Sequence, residues 1–323
     1  MTTSTTSPAG VTTRGRHTAS APTGAPVEQD DGSATGTAAA AWSAWHAERE
    51  RTLREQHGWL TLTTLHWVPE SPTSFAGLPG QWWSDADGVH LRAAAADAIV
   101  PAGGQDALRG THVQDVAEGA STFVATFVPD GVDPASPVAV ELVRRTGRYG
   151  LRVRDPRART RVTFEGVPTF AYDPSWVLDA PVRWYDEPVA EVVGGAQPGL
   201  EHHVQVVGEV DVTRDGLTTT LRLTGTPGGS TSLLFTDPAP GVADWRVLFV
   251  DRDPAGTAGS GTDVAEASDD DVADGPDAAR TLRLDLNRTL NLPYAFTDFG
   301  TCPRPVEGNV LPFSVEAGEK VPR

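Results

Sequence analysis

Residues 203–224, HVQVVGEVDVTRDGLTTTLRLT, decide the architecture. His203 to Val212 and Leu217 to Thr224 are rich in residues that suit a pleated, half-buried surface. Between them Arg214-Asp215-Gly216 signals a tight turn, because glycine reaches positive φ without steric cost. The stretch reads as an antiparallel hairpin. The pattern repeats in both directions: Val89 to Val100, Thr122 to Val128, Val138 to Arg144, Gly150 to Asp155, Thr160 to Phe164, Trp176 to Tyr185, Ser232 to Thr236 and Trp245 to Val250 all read as strands. Pro129-Asp130-Gly131 and Thr226-Pro227-Gly228-Gly229 are the sharpest further turn signals. About a dozen short strands at such spacing predict a mainly β fold, an antiparallel sandwich or barrel or two stacked β units. Strand-helix alternation is lacking, which argues against a doubly wound dinucleotide fold.

Upstream, GWLTLTTLHWV at 58–68 places Leu60 and Leu62, then Leu65 and Trp67, on alternating positions that shift by one between the pairs. A bulged strand accounts for the shift. Before it, Trp42, Trp45, Arg49 and Leu53 recur at helical spacing, which predicts an N-terminal helix over Ala39 to His57, with Glu50 and Arg54 an i,i+4 pair. The two tryptophans are expected to anchor that helix on the body. Residues 1–38 are rich in Ser, Thr, Ala, Gly and Pro without aromatics, and are expected to be a disordered tail. Residues 253–279 carry eight acidic and no basic side chains and are expected to be a mobile acidic insertion. The remainder, 39–323, reads as a single β-rich domain.

Composition narrows the partners. The chain has 323 residues, 26 basic against 43 acidic, for a net charge of -17. Such a field repels phosphate backbones and anionic headgroups, so neither nucleic acid nor membrane is expected as a partner. A single cysteine, Cys302, rules out an intrachain disulfide and suits a reducing cytoplasm, the expected location. No signal-peptide core or membrane-length apolar run is read in the chain. Lys320 is the only lysine, a skew toward arginine of the kind a GC-rich genome produces.

The chemistry-bearing stretch is 281–319, TLRLDLNRTLNLPYAFTDFGTCPRPVEGNVLPFSVEAGE. It opens on a strand with Leu282, Leu284 and Leu286 on one face, and continues as a long irregular loop dense in polar residues and prolines. Familiar catalytic signatures are missing: there is no GxSxG elbow and no GxxxxGK[ST] loop. Cys302 has no evident activator nearby in sequence and is expected to be a buried small hydrophobe. His202 and His203, adjacent on a strand, point to opposite faces, and Asp269, Asp270 and Asp271 lack the spacing of a calcium loop. No metal and no cofactor are expected.

Three separated motifs carry a resemblance. Gly58-Trp59-Leu60 with Leu62, Leu65 and Trp67 is the first, and Tyr149 to Asp155 followed by Phe164-Glu165-Gly166 is the second. The third runs from Asp285-Leu286-Asn287-Arg288 and Asn291 through Thr301-Cys302-Pro303, Asn309 and Leu311-Pro312 to Ala317-Gly318-Glu319-Lys320. Together they resemble the uncharacterised bacterial domain-of-unknown-function family numbered 1684, over about residues 40 to 320 apart from the acidic insertion. The resemblance implies a mostly β fold and a location of interest, and no substrate. The chain departs from the family pattern at Tyr294, where a cysteine is usual, and at Asp244-Trp245-Arg246-Val247, where a glycine-rich lead is usual. Paired-cysteine chemistry is thereby excluded.

Two readings follow. In the first, a small-molecule site collects the C-terminal motif and the central Arg/Asp motif. Asp285 and Glu319 are its candidate catalytic carboxylates, and Arg152, Asp155, Arg246, Asn287, Asn291, Cys302 and Asn309 its candidate ligand contacts. In the second, the protein is a noncatalytic binding, structural or interaction module. Its polar C-terminal side chains then serve the buried backbone of a long loop.

Overall fold

The computed structural model describes residues 31–226, 230–250 and 280–322. The acidic insertion, much of the expected tail and the turn glycines Gly228 and Gly229 lie outside these residues. The chain is mainly β, as its turn spacing predicts. It enters through a helix, α1 (Asp31–Leu53), which starts ahead of the expected Ala39 and stops short of His57. The alanine run at Ala38 to Ala41 favours helix, and the backbone N–H of Gly58 turns back onto the Glu55 carbonyl. The predicted stripe docks the helix. Trp42 Nε1 donates to the Asn287 carbonyl at 2.8 Å, and Leu53 is buried against Leu60 and Val167. Glu50 and Arg54 pair at 3.5 Å.

Nine strands build a first sandwich: β1 (Leu62–Trp67), β2 (Thr73–Phe75), β3 (Leu78–Asp85), β4 (Gly88–Ala93), β5 (Val100–Pro101), β6 (Gly110–Gln114), β7 (Ser121–Phe127), β8 (Val138–Arg145) and β9 (Arg148–Arg154). A five-stranded sheet in the order β1-β9-β8-β7-β5 faces a four-stranded sheet in the order β2-β3-β4-β6. Trp82, Val89 and Leu91 from one sheet and Val124, Leu142 and Leu151 from the other fill the space between them. The predicted bulge is present, with the β1–β9 register shifting between Leu62 and Thr64. Residues 89–100 are not one strand: a 3-10 turn at Ala95–Asp97 separates β4 from β5. Strands β2, β3 and β6 are additional to those legible in the sequence.

The expected strand at Thr160 to Phe164 is instead part of a short helix and loop, with α2 at Arg159–Val162. The carbonyls of Ala158 and Arg159 capture the amides of Val162 and Thr163 at 3.0 Å each, so local bonding satisfies backbone that has no strand neighbour.

The second sheet holds β10 (Val177–Gly194), β11 (Glu201–Arg214), β12 (Leu217–Gly225), β13 (Thr231–Phe235), β14 (Arg246–Val250) and β15 (Arg280–Asp285). Its order is β14-β13-β12-β11-β10-β15, antiparallel throughout. The opening hairpin is β11–β12, and its turn carries positive φ at both Asp215 (51°) and Gly216 (77°), the geometry that matches strand twist. The sheet curls into a half-barrel. Leu311, Phe313, Val315 and Ala317 plug it, packed with Leu221, Leu233, Phe235 and Leu284. These four alternate like strand residues, yet the segment belongs to no ladder.

Candidate functional site

A plug without a ladder leaves buried peptide groups that side chains must satisfy. Arg246, fully buried on β14, donates through Nη1 to the carbonyls of Ala317 (2.7 Å) and Glu319 (3.2 Å), and through Nη2 to that of Val315 (3.0 Å). Its charge is matched by Asp237 at 2.7 Å, whose other oxygen accepts the amides of Val315 and Ala239 at 3.0 Å each. Asn309 fills the gap where β12 and β13 part. Its Oδ1 accepts the Arg222 amide at 2.8 Å, and its Nδ2 donates to the carbonyls of Arg222 (2.9 Å) and Leu234 (2.8 Å). Arg246 is committed to the plug, and Asn309 to the parting strands beside it.

Glu319 and Asn291 tie the same segment to α1. Glu319, buried, accepts the Asn291 amide on Oε2 at 2.6 Å and Arg49 Nε on Oε1 at 3.1 Å. Arg49 Nη2 donates to the Asn291 carbonyl at 2.9 Å, and Asn291 Nδ2 to the Lys320 carbonyl at 2.7 Å. Asp285 and Asn287 form a separate group. Asp285 Oδ1 accepts the Asn287 amide (3.1 Å) and Nδ2 (3.0 Å), and its other oxygen pairs with Arg288 at 3.3 Å. Asn287 also exchanges two hydrogen bonds with the Asp173 backbone, at 2.9 and 3.0 Å.

Arg152 belongs to a third group, between the sandwich and the C-terminal loop. It pairs with Glu141 at 3.4 Å and donates to Thr301 Oγ1 at 2.7 Å. Arg154 holds the second Glu141 oxygen at 2.6 Å. Trp59 covers both guanidiniums, 5.2 Å from Arg152 and 4.4 Å from Arg154. Burial pushes the Glu141 carboxyl up, but the Arg154 and Arg152 charges outweigh it and hold the group below the usual carboxylate range. Burial lowers Arg152.

Cys302, next to Thr301, is buried as expected. Burial drives its thiol up to about 11 despite nearby Arg152 and Arg145, so it is protonated at neutral pH. The Tyr294 amide lies against it, which brings together the two positions where the family resemblance implies paired cysteines. Tyr294 instead bonds the Trp245 backbone through its hydroxyl, donating at 2.6 Å and accepting at 2.8 Å. Asp155 stands apart, gripping Arg157 at 2.8 Å beside a cleft of about 670 Å³.

The candidate residues therefore form several networks, of which one borders a compact pocket. A cavity of about 150 Å³ is lined by Arg49, Leu53, Trp59, Val247, Phe249, Leu290, Asn291, Leu292, Pro293 and Phe296. Its wall is apolar and aromatic, with one guanidinium and one amide, the mixture typical of small-molecule sites. Arg152 and Asp155 are not among its lining residues; the central motif meets it only through Trp59. Arg49 and Trp59 were legible as a helix-stripe residue and as part of the opening motif, but no local signal placed them beside Asn291. Among the described residues no group of three or more His, Cys, Asp and Glu is placed to hold a metal ion.

Fold and networks define a mainly β protein whose curled sheet is closed by a C-terminal segment bolted in place by polar side chains. That segment is also where family likeness is found. The model of a family described as a protein of unknown function, DUF1684, matches residues 162–320, and over this stretch the chain resembles that family. The opening motif and Tyr149 to Asp155 lie ahead of the matched residues. Among solved structures, the solution NMR structure of an uncharacterized protein from Haloarcula marismortui, an archaeal source, is 22% identical. The match covers 50% of this chain and 79% of that one, at a TM-score of 0.36. No curated protein matches.

Proposed function

We propose that this protein is a noncatalytic binder of a small organic molecule, which it holds in the pocket between the C-terminal end of α1 and residues 290–296. One observation carries the reading: Arg49 and Asn291, held in place by a ring of bonds with buried Glu319, form the polar edge of an otherwise apolar cavity of about 150 Å³. A noncatalytic role is favoured because both Glu319 oxygens and both Asp285 oxygens are already engaged, and because Cys302 is a neutral thiol. Catalytic acids and nucleophiles need a free, tuned group within reach of substrate.

The net charge of -17 and the lone buried cysteine support a cytoplasmic setting without nucleic-acid or lipid partners. No helix among the described residues is long and apolar enough to cross a membrane. The test is an amide-resolved NMR titration with a fragment panel of benzene-sized acids, amides, amines and hydrocarbons. Perturbations around Trp59, Asn291 and Phe296 are expected, and Leu292→Trp, which fills the cavity, or Phe249→Glu, on its exposed rim, should abolish them. Silence of these resonances across the whole panel, or binding that survives both substitutions, would overturn the proposal.

A further inference from the structure

Resting on that reading, we infer that Phe296 is the specificity-determining residue of the pocket: its ring is the wall that parts the pocket from a neighbouring cleft, and it restricts the site to single-ring ligands. Two voids carry the inference. The pocket of about 150 Å³ and a broader cleft of about 730 Å³ have one lining residue in common among the described residues, Phe296. The side chains around it divide between the two. Phe296 packs on the cluster of Leu53, Leu60 and Val167, of which Leu53 lines the pocket while Leu60 and Val167 line the cleft. Arg49, another pocket residue, holds its guanidinium 5.8 Å from the Phe296 ring centroid. The ring therefore stands between the voids.

Local structure fixes that wall. Pro293 presets φ at the start of a 3-10 turn, Pro293–Ala295, and the Phe296 amide closes the turn by donating to the Pro293 carbonyl at 3.0 Å. Pro293 lines the pocket and Ala295 the cleft, so the backbone crosses from one void to the other just ahead of the ring. Arg49 is itself tied to Glu319 and to the Asn291 carbonyl. Moving the ring aside would unpack Leu53, Leu60 and Val167, all buried.

Volume turns the wall into a rule of selection. A cavity of about 150 Å³ admits a benzene-sized ring. A second, fused ring has no room on the pocket side of Phe296 and is left toward Phe249, which is exposed, where it stays in water and gains little. Beyond Phe296, by contrast, Leu60, Phe164 and Val167 give the cleft an apolar surface. Phe296 thus decides how many rings a ligand can bury.

The experiment titrates phenol and 2-naphthol by amide-resolved NMR against the parent, Phe296→Ala and Phe296→Leu, with each variant's fold confirmed from its amide spectrum. In the parent, 2-naphthol should bind no more tightly than phenol, and both sets of perturbations should vanish in Leu292→Trp. In Phe296→Ala, the affinity of 2-naphthol relative to phenol should rise at least about tenfold, the gain from burying the added ring carbons, and new perturbations should reach Gly166 and Val167 of the cleft. The milder Phe296→Leu, which keeps an apolar side chain on the cluster, should show the same change at about fourfold, one buried methylene's worth. A parent that already prefers 2-naphthol tenfold, or folded variants in which the ratio and the Gly166 and Val167 amides do not move, would overturn the assignment to Phe296 while leaving the pocket standing. If neither compound perturbs the parent or the variants, the assignment fails, and the pocket falls with it only where the fragment panel is silent too.

Discussion

Arg246 shows what a single side chain does in this fold. Three plug carbonyls and one buried carboxylate converge on its guanidinium, and lysine could not replace it, since a point charge lacks the planar fork. Arg246→Met conserves much of the volume but leaves Asp237 and the carbonyls of Val315 and Ala317 unpaired. The expected loss is about 3–5 kcal/mol in urea unfolding. Combining it with Asp237→Asn should restore part of the loss, because the stranded charge is then gone; a strictly additive double variant would show that the pair is not coupled. Asn309 and Asn287 follow the same logic with uncharged amides. Polar residues gather near the C-terminus because irregular backbone there and in the segments it meets needs side-chain partners: Arg246 and Asp237 serve Val315 and Ala317, Asn309 serves Arg222 and Leu234, and Asn287 serves Asp173.

At the scale of elements, the plug depends on one backbone conformation. Gly318 has φ of +76°, and a Cβ added there would lie 2.5 Å from the Thr289 carbonyl oxygen. Both the left-handed backbone and the close approach require glycine. Gly318→Ala should therefore destabilise the protein by about 2 kcal/mol or more, and hydrogen exchange should quicken first at the Glu319 amide, which donates to the Thr289 carbonyl at 2.9 Å. Unchanged exchange at that amide would mean that the segment yields without strain. The helix α1 is less demanding. Much of it is exposed, and its hold on the body comes from Trp42, Arg49, Glu50 and Leu53.

For the whole molecule, the question is how the sandwich and the half-barrel are joined. Glu141 and Arg152 on the sandwich reach Thr301 of the C-terminal loop, and Thr146 and Glu201 exchange two bonds at 2.8 and 3.1 Å across the same divide. The folded Glu141 carboxyl titrates below its ordinary value of 4.5. A depressed carboxylate contributes stability that is present above the unfolded value and is lost as pH falls through the folded one. Parent and Glu141→Gln should thus differ most in stability near neutrality and converge as pH drops below about 4.5. Denaturant midpoints measured across that range check the sign. A gap that stays constant with pH would show that Glu141 acts through packing alone.

Much of this architecture was local information. The β11–β12 hairpin, the bulge in β1 and the burial of Leu282, Leu284 and Leu286 followed from alternation and turn chemistry, which act over a few residues. So did the stripe that docks α1, though not its ends. Thr160 to Phe164 misled because strand-like composition means little where no neighbouring strand offers a ladder. The candidate site divides along the same line. Composition and motif marked Arg246, Asn291, Asn309 and Glu319 as unusual, and burial with Cys302 as inert. No local rule could say that Asn309 spans two parting strands, that Arg152 faces Thr301, or that Arg49 arrives beside Asn291. Those pairs are 87, 149 and 242 residues apart for the bonds they make. The sequence by itself determined strands, turns and which residues were chemically conspicuous. Only the tertiary structure decided which of them close on buried backbone and which open on a cavity, because partner and void are products of long-range packing.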